Sequence, residues 1–129
     1  MSKAVVIHKT GGLEALTIED REVGTPGPGE LRIRNTHIGL NYIDVYFREG
    51  LYGTETPFVL GSEGAGHVTD VGEGVNGFKV GDRVAYVNNG AYAEDRLIDA
   101  SKVVLLPEGV SNEDAAAIML KGMTVQYLF

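Results

Sequence analysis

The sequence predicts a mainly β domain with short helices, and two features of the chain carry this prediction. The first is a series of short β-type runs, broken by Gly, Pro and Asn, that continues to about Leu106. The second is the helical pattern of the residues that follow. Many short strands with frequent turns are typical of a sandwich or a partly closed barrel, and the strand pattern leaves both open.

The predicted strands share short apolar runs flanked by turn residues. They cover residues 4–7, 16–19, 31–38, 66–71, 83–86, 91–97 and 103–105. Residues 30–34 alternate polar and apolar side chains, which is the pattern of a strand with one solvated face. The triplet Asn88-Asn89-Gly90 is a hairpin signal and predicts a tight turn between two paired strands.

Helices are predicted at residues 41–48 and near the C-terminus. Asn41 is the expected N-cap of the first helix, with Asp44 near the N3 position. Ser111 is the expected cap of a second helical run over residues 111–120. We expect a further helical run over residues 124–129, after Gly122. Because this run is still apolar at its end, we expect the natural chain to continue; the alternative is a terminal helix docked on its own core.

Composition excludes several classes of function. The chain has 129 residues, enough for one compact domain, and a formal net charge of -7 that disfavours binding to nucleic acid or anionic lipid. No apolar stretch approaches the length of a membrane span, and the start lacks the features of a secretion signal. The sequence contains no cysteine, which excludes disulfides and thiolate metal sites and suits a reducing cytoplasm.

Several chemical motifs are present in part and are rejected. The pattern G-x-G-x-x-G spans residues 72–77, but a turn and a strand follow it, so no helix N-terminus is available for a pyrophosphate. The histidines, at positions 8, 37 and 67, lack metal-ligand spacing, and we predict no metal site. Ser62 lacks the glycine spacing of a nucleophile elbow. Glu63 is interpreted as a turn residue or an ion-pair partner of a nearby Arg.

Residues 39–52 are the densest polar and aromatic stretch of the chain. Asn41, Asp44, Tyr46 and Tyr52 could line one end of a cleft, where amide, carboxylate and phenol groups would meet a ribose or a flat ring. Helix capping explains Asn41 and Asp44 equally well, and the tyrosines could be core residues with solvated hydroxyls. From the residues alone, both interpretations stay open.

An ordered set of segments resembles the N-terminal domain of medium-chain dehydrogenases/reductases. The segments lie at residues 39–44, 61–68, 71–75, 80–85 and 121–124. Zinc alcohol dehydrogenases of this superfamily have a cysteine ligand where this chain has Asn41, and a histidine ligand where it has Ser62. The combination Asn-Tyr-Ile-Asp-Val-Tyr at residues 41–46 with Gly-Leu-Tyr at residues 50–52 resembles instead the zinc-independent, ζ-crystallin-like quinone oxidoreductases.

The resemblance implies a GroES-like, partly open β-barrel over residues 1–110, with residues 111–129 leading into a Rossmann domain absent from this chain. It implies NADPH as cofactor and a homodimer at full length. It places Asn41, Asp44, Tyr46, Met123 and Thr124 at the nicotinamide end of the cofactor. Tyr46 and Tyr52 would flank the acceptor ring and act as the catalytic residues.

The function expected from this resemblance is zinc-free hydride transfer from NADPH to a quinone. A second expectation is reduction of the C=C bond of an enone or alkenal with the same cofactor. A third treats the chain as an isolated, non-catalytic GroES-like domain that binds aromatic molecules weakly. We expect the 129 residues alone to be inactive, because they contain no pyrophosphate-binding element.

Overall fold

The computed structural model of the chain describes residues 1–128 and contains two α-helices and eight β-strands within them. The strands are β1 (Ser2–Ile7), β2 (Thr17–Arg21), β3 (Glu30–Ile38), β4 (Phe58–Val59), β5 (Glu63–Val71), β6 (Arg83–Val87), β7 (Asp95–Asp99) and β8 (Val103–Leu105). The helices are α1 (Tyr42–Glu49) and α2 (Asn112–Leu128).

The strands form two antiparallel sheets that do not close into a complete barrel. The smaller sheet has the order β2-β1-β4, and the larger has the order β7-β3-β5-β6-β8. An isolated bridge between Ala4 and Ala93 links β1 to the segment before β7. The predicted mainly β, partly open architecture is confirmed.

One face of the larger sheet forms the main hydrophobic core. Leu31 and Ile33 of β3 alternate with solvent-facing neighbours and are fully buried, as the period-two pattern of residues 30–34 predicted. They pack in one cluster with Val68, Val84 and the ring of Tyr86. This cluster is the main core, and it fixes the sheet that carries the residues described below.

Helix α2 packs on the other face of the same sheet through small side chains. Ala115 and Ala116 contact Ala65 of β5 and Ala85 of β6, and all of them are nearly inaccessible to solvent. Arg83 ties the start of the helix to β6, because its guanidinium donates to Asn112 Oδ1 at 3.0 Å and to the Val110 carbonyl. The first turns of α2 are therefore held firmly against the sheet.

The structure corrects several sequence-based predictions of the fold. Helix α2 runs without interruption through Gly122, whereas two separate helical runs were expected; residue 129 of the second run lies outside the described residues. The Asn88–Gly90 turn is not a hairpin, because β3 and β5 lie between β7 and β6 in the sheet. Strand β7 covers Asp95–Asp99 rather than residues 91–97, and the two-residue strand β4 was not predicted.

Neither helix within residues 1–128 combines the length and hydrophobicity that a bilayer crossing requires.

Candidate functional site

Helix α1 begins after the N-cap that the sequence predicted and ends at Glu49, one residue beyond the predicted run. Asn41 is its N-cap, and the backbone N–H of Asn41 donates to Asp44 Oδ2 at 3.1 Å. Gly50 ends the helix in the left-handed conformation, with φ of 88°, which glycine adopts without steric cost. These local signals place the polar and aromatic stretch on one short, well-defined helix and the turn after it.

Asp44 is a buried carboxylate held by neutral donors. The residue is 5% exposed, and its Oδ1 accepts a hydrogen bond from the hydroxyl of Ser62 at 2.6 Å. Its Oδ2 accepts the hydroxyl of Tyr92 at 2.6 Å, in addition to the backbone of Asn41. Partial burial and, next, the hydrogen bond to the negative charge of Asp44 raise the pKa of Tyr92. Asp44 therefore joins α1 to the residue before β5 and to the segment before β7.

Glu63 is fully buried at the start of β5 and connects α1 to α2. Its Oε1 accepts from Asn41 Nδ2 at 2.6 Å, and its Oε2 accepts from the backbone N–H of Leu120 at 2.7 Å. The ammonium of Lys121 lies 3.5 Å from Oε1 and donates to Asn41 Oδ1 at 2.7 Å. The interpretation of Glu63 as a turn residue or an Arg partner is wrong: it is a strand residue whose cation is a lysine.

The aromatic side chains of α1 form a connected, partly exposed surface. The rings of Tyr42 and Tyr46 meet edge to face with centroids 5.3 Å apart, and those of Tyr46 and Tyr52 meet likewise at 6.3 Å. Phe47 contacts Tyr52 at 5.0 Å and stacks on Phe58 at 5.6 Å, which anchors the surface to the barrel. Tyr46 and Tyr52 are 37% and 54% exposed, so both present ring area to solvent.

An apolar cavity of about 460 Å³ borders α1 beside this surface, since Tyr42 belongs to both. Asn41 and Asp44 line it, whereas Tyr46 and Tyr52 do not. Its other lining residues are Leu13, Leu16, Leu40, Tyr42, Val45, Arg48, Leu60 and Tyr92. The structure thus separates the predicted residues of this stretch into a cavity-lining pair, Asn41 and Asp44, and an exposed tyrosine pair, of which Tyr46 lies on α1 and Tyr52 lies in the turn after it.

Met123 and Thr124 lie on α2, just beyond the contacts of Leu120 and Lys121 with Glu63. Met123 is 52% exposed, and Thr124 is exposed as well. The Thr124 hydroxyl donates to the carbonyl of Leu120 at 3.0 Å, within the helix. The Lys121–Asn41 hydrogen bond therefore brings this part of α2 close to the beginning of α1.

The rejection of the glycine motif at residues 72–77 is confirmed. Gly74 and Gly77 have positive φ values, and the segment is a turn between β5 and β6.

Two of the histidines lie at the surface beside a glutamate. His8 pairs with Glu19, and His37 lies 3.9 Å from Glu113; both histidines are exposed. No group of three His, Cys, Asp or Glu side chains with a metal-binding arrangement occurs among residues 1–128.

Sequence reasoning missed the site contacts of Ser62, Tyr92 and Lys121. Their partners are distant in sequence: Tyr92 bonds a residue 48 positions earlier, and Lys121 one 80 positions earlier. Lys121 belongs to residues 121–124, one of the segments that carry the family resemblance, so the sequence did mark this position. Nothing local marked Tyr92.

The comparisons with known proteins agree with this geometry. Residues 27–108 match the family described as the alcohol dehydrogenase GroES-like domain. A quinone oxidoreductase of Pseudomonas aeruginosa is 51% identical over 99% of this chain and 40% of its own length. A 2-haloacrylate reductase of a Burkholderia species is 46% identical over 99% of this chain and 41% of its own length.

A solved structure shows the same fold at high similarity. The Escherichia coli quinone oxidoreductase complexed with NADPH superposes with a TM-score of 0.95 at 43% identity, over 98% of this chain and 40% of that one. The chain spans about 40% of the length of the relatives that it matches. On this evidence, the chain belongs to the alcohol dehydrogenase GroES-like domain family, within the medium-chain dehydrogenase/reductase superfamily.

Proposed function

We propose that this chain is the substrate-side domain of an NADPH-dependent quinone oxidoreductase. The observation that carries the proposal is the contact between Tyr46 and Tyr52, two exposed phenols side by side on an anchored aromatic surface. A flat acceptor ring can stack on such a surface while its oxygen meets a hydroxyl. The similarity to quinone oxidoreductases supports the same assignment.

The residues at the beginning of α1 suit the nicotinamide end of the cofactor. Glu63 accepts one of the two hydrogens on Asn41 Nδ2, which leaves the second for a ligand oxygen. Met123 and Thr124 would contact the same end from α2, and Tyr46 from α1. Asp44 lines the adjacent cavity and holds the backbone of Asn41 in place. When bound, NADPH supplies the hydride for the reaction.

Tyr46 and Tyr52 are the proposed catalytic residues. A phenol that donates a hydrogen bond to the acceptor oxygen stabilises the negative charge that develops there. The two rings also exclude water from one side of the acceptor. Solvent can deliver the final proton, because a hydroquinone anion needs no strong acid.

The proposed reaction uses no metal ion, because the two side chains at the zinc-ligand positions of zinc alcohol dehydrogenases are hydrogen-bonded to other side chains here. The amide of Asn41 is bonded to Glu63 and Lys121, and the hydroxyl of Ser62 donates to Asp44. Neither an amide nitrogen nor a serine hydroxyl matches the thiolate and imidazole that zinc prefers.

Tyrosine-to-phenylalanine variants of the longer protein test the proposal. Tyr46→Phe and Tyr52→Phe each remove one hydroxyl and keep the ring. We expect either to lower kcat/KM for a quinone about tenfold or more, the scale of one lost hydrogen bond to a charged group. Ser101→Ala is the control, because it removes a hydroxyl from an exposed residue in the turn before β8. Unchanged quinone turnover in both site variants would show that neither hydroxyl has the catalytic role proposed for it.

Reduction of an activated C=C bond is the second candidate, and the similarity to a 2-haloacrylate reductase favours it. The cofactor and the aromatic surface would serve the same purpose with a different acceptor. A panel of quinones, enones and 2-haloacrylates assayed with NADPH separates the two. The proposal predicts a higher kcat/KM for quinones, and a preference for the other acceptors would reverse the assignment.

The remaining features of the proposal rest on the family resemblance. Residues 1–110 would form the substrate domain, and residues 111–129 would lead into the nucleotide-binding domain. The whole protein would be a cytoplasmic homodimer, and the absence of cysteine suits that compartment. Size-exclusion chromatography with light scattering on the longer protein tests the dimer.

A further inference from the structure

The side-chain amide of Asn41 lies between two groups of fixed and opposite hydrogen-bonding character. A carboxylate accepts hydrogen bonds and an ammonium donates them. Asn41 Nδ2 donates to Glu63 Oε1 at 2.6 Å, and its Oδ1 accepts from Lys121 Nζ at 2.7 Å. Turning the amide by half a rotation would set oxygen against carboxylate and NH₂ against ammonium, so both contacts would become repulsive. The pair therefore determines which way the amide faces.

The carboxylate of Glu63 is itself fixed in position. It is fully buried, and its second oxygen accepts the backbone N–H of Leu120 at 2.7 Å. Gly39 packs so closely against it that a Cβ there would lie 2.5 Å from Glu63 Cγ and 2.4 Å from the Ala116 carbonyl. Since Glu63 has little room to turn, the direction of the Asn41 amide is set by the sheet and by α2 together.

We propose that Glu63 and Lys121 are positioning residues that fix the Asn41 amide so that an N–H, not the carbonyl, faces the ligand. The identity of the ligand rests on the proposed function, in which it is the nicotinamide end of NADPH. The fixed donor then suits an acceptor oxygen of that group. Lys121 acts through Asn41, so its effect requires the amide to be present.

Binding of NADPH to the longer protein, without quinone, tests the proposal. Lys121→Met keeps the length of the side chain and removes the ammonium, Lys121→Arg restores a cationic donor, and Lys102→Met removes an equal charge from an exposed position before β8. We expect Lys121→Met to raise the Kd about tenfold, the scale of one hydrogen bond to a charged group. Lys121→Arg should recover most of the affinity, and Lys102→Met should retain the wild-type Kd.

A double-mutant cycle with Asn41→Ala separates positioning from direct contact. In the Asn41→Ala background, Lys121→Met should change the Kd no further, because the group on which Lys121 acts is gone. A second readout needs no cofactor: the Asn41 side-chain signals in a nitrogen–proton correlation spectrum should shift in Lys121→Met and in Glu63→Gln. Thermal unfolding of each variant identifies any that fails to fold.

Three results would overturn the proposal. The first is an unchanged Kd for NADPH in Lys121→Met. The second is a loss of affinity from Lys121→Met that is as large in the Asn41→Ala background as in the wild type. The third is a set of Asn41 side-chain signals that shift in neither Lys121→Met nor Glu63→Gln. Failure of the proposed function looks different. If the protein binds NADPH but reduces no quinone, the proposed function is wrong. The double-mutant cycle on NADPH binding still tests whether Lys121 acts through Asn41. A protein that binds no NADPH overturns both.

Discussion

The hydroxyl of Tyr92 donates a 2.6 Å hydrogen bond to Oδ2 of the buried Asp44. This bond joins the segment before β7 to helix α1, and Ser62 holds the other carboxylate oxygen from the start of β5. A buried carboxylate without enough donors is costly, so these neutral groups stabilise the arrangement. The position of α1, and of every site residue on it, depends on this small network.

Tyr92→Phe is expected to destabilise the chain. The substitution keeps the ring but leaves Asp44 without one of its donors, so we expect the free energy of unfolding to fall by about 1–3 kcal/mol. Urea denaturation followed by circular dichroism measures this difference. Tyr127→Phe, at an 88% exposed position, should change stability little. Equal stability of the wild type and Tyr92→Phe would show that the bond contributes nothing.

The raised pKa of Tyr92 predicts a loss of stability in alkaline solution. Above pH 10.0, the ordinary pKa of tyrosine, the unfolded chain loses this proton while the folded chain keeps it. The folded state then binds more protons than the unfolded state, so the free energy of unfolding falls as pH rises. Urea unfolding below and above pH 10 measures the slope. The difference between the slopes of wild type and Tyr92→Phe gives the contribution of Tyr92 to the pH dependence of the unfolding free energy. Identical slopes would contradict the prediction.

Gly39→Ala is expected to be disruptive for steric reasons alone. A Cβ at this position would lie 2.4 Å from the carbonyl oxygen of Ala116 and 2.5 Å from Glu63 Cγ. Backbone atoms must move to accept it, and we expect a loss of about 1–3 kcal/mol in the free energy of unfolding. Thermal and urea denaturation both report this change. A variant as stable as the wild type would mean that Gly39 lies farther from Ala116 and Glu63 than the structure indicates.

Gly122→Ala is expected to stabilise the chain, in contrast to Gly39→Ala. Gly122 lies inside α2, and a Cβ there would meet nothing within 4 Å among the described residues apart from the helix backbone. Alanine in a helix interior is favoured over glycine by about 0.5–1 kcal/mol. A higher midpoint of urea unfolding would confirm that the helix is continuous through Gly122. A lower midpoint would favour the break that the sequence suggested.

Helix α1 could be predicted from the sequence because its signals are local. Asn41 and Asp44 at the start act within one helical turn of their own positions. Gly50, which ends the helix, is an equally local signal that the prediction did not use. Gly122 misled the prediction for α2, since one glycine costs about 1 kcal/mol and the strong helix formers on its N-terminal side compensate for it. Local propensity thus predicted the first helix correctly and divided the second wrongly.

The contacts of the site could not be predicted in the same way. Glu63 bonds one partner 22 residues before it and another 57 residues after it, and its burial depends on how β5 and α2 meet. The Asn88–Gly90 turn failed as a hairpin signal for a related reason: β3 and β5 separate the strands on either side of it. Such relationships depend on the order of strands in the sheet, which neighbouring residues do not encode.

Oxidation of NADPH by the longer protein with a quinone, before and after exhaustive treatment with a chelator, tests the central claim most directly. The loss of nicotinamide absorbance gives the rate. Because Asn41 and Ser62 are engaged with other side chains and supply no metal ligand, we predict the same rapid turnover in both conditions. No turnover, or turnover that the chelator abolishes and zinc restores, would contradict the account.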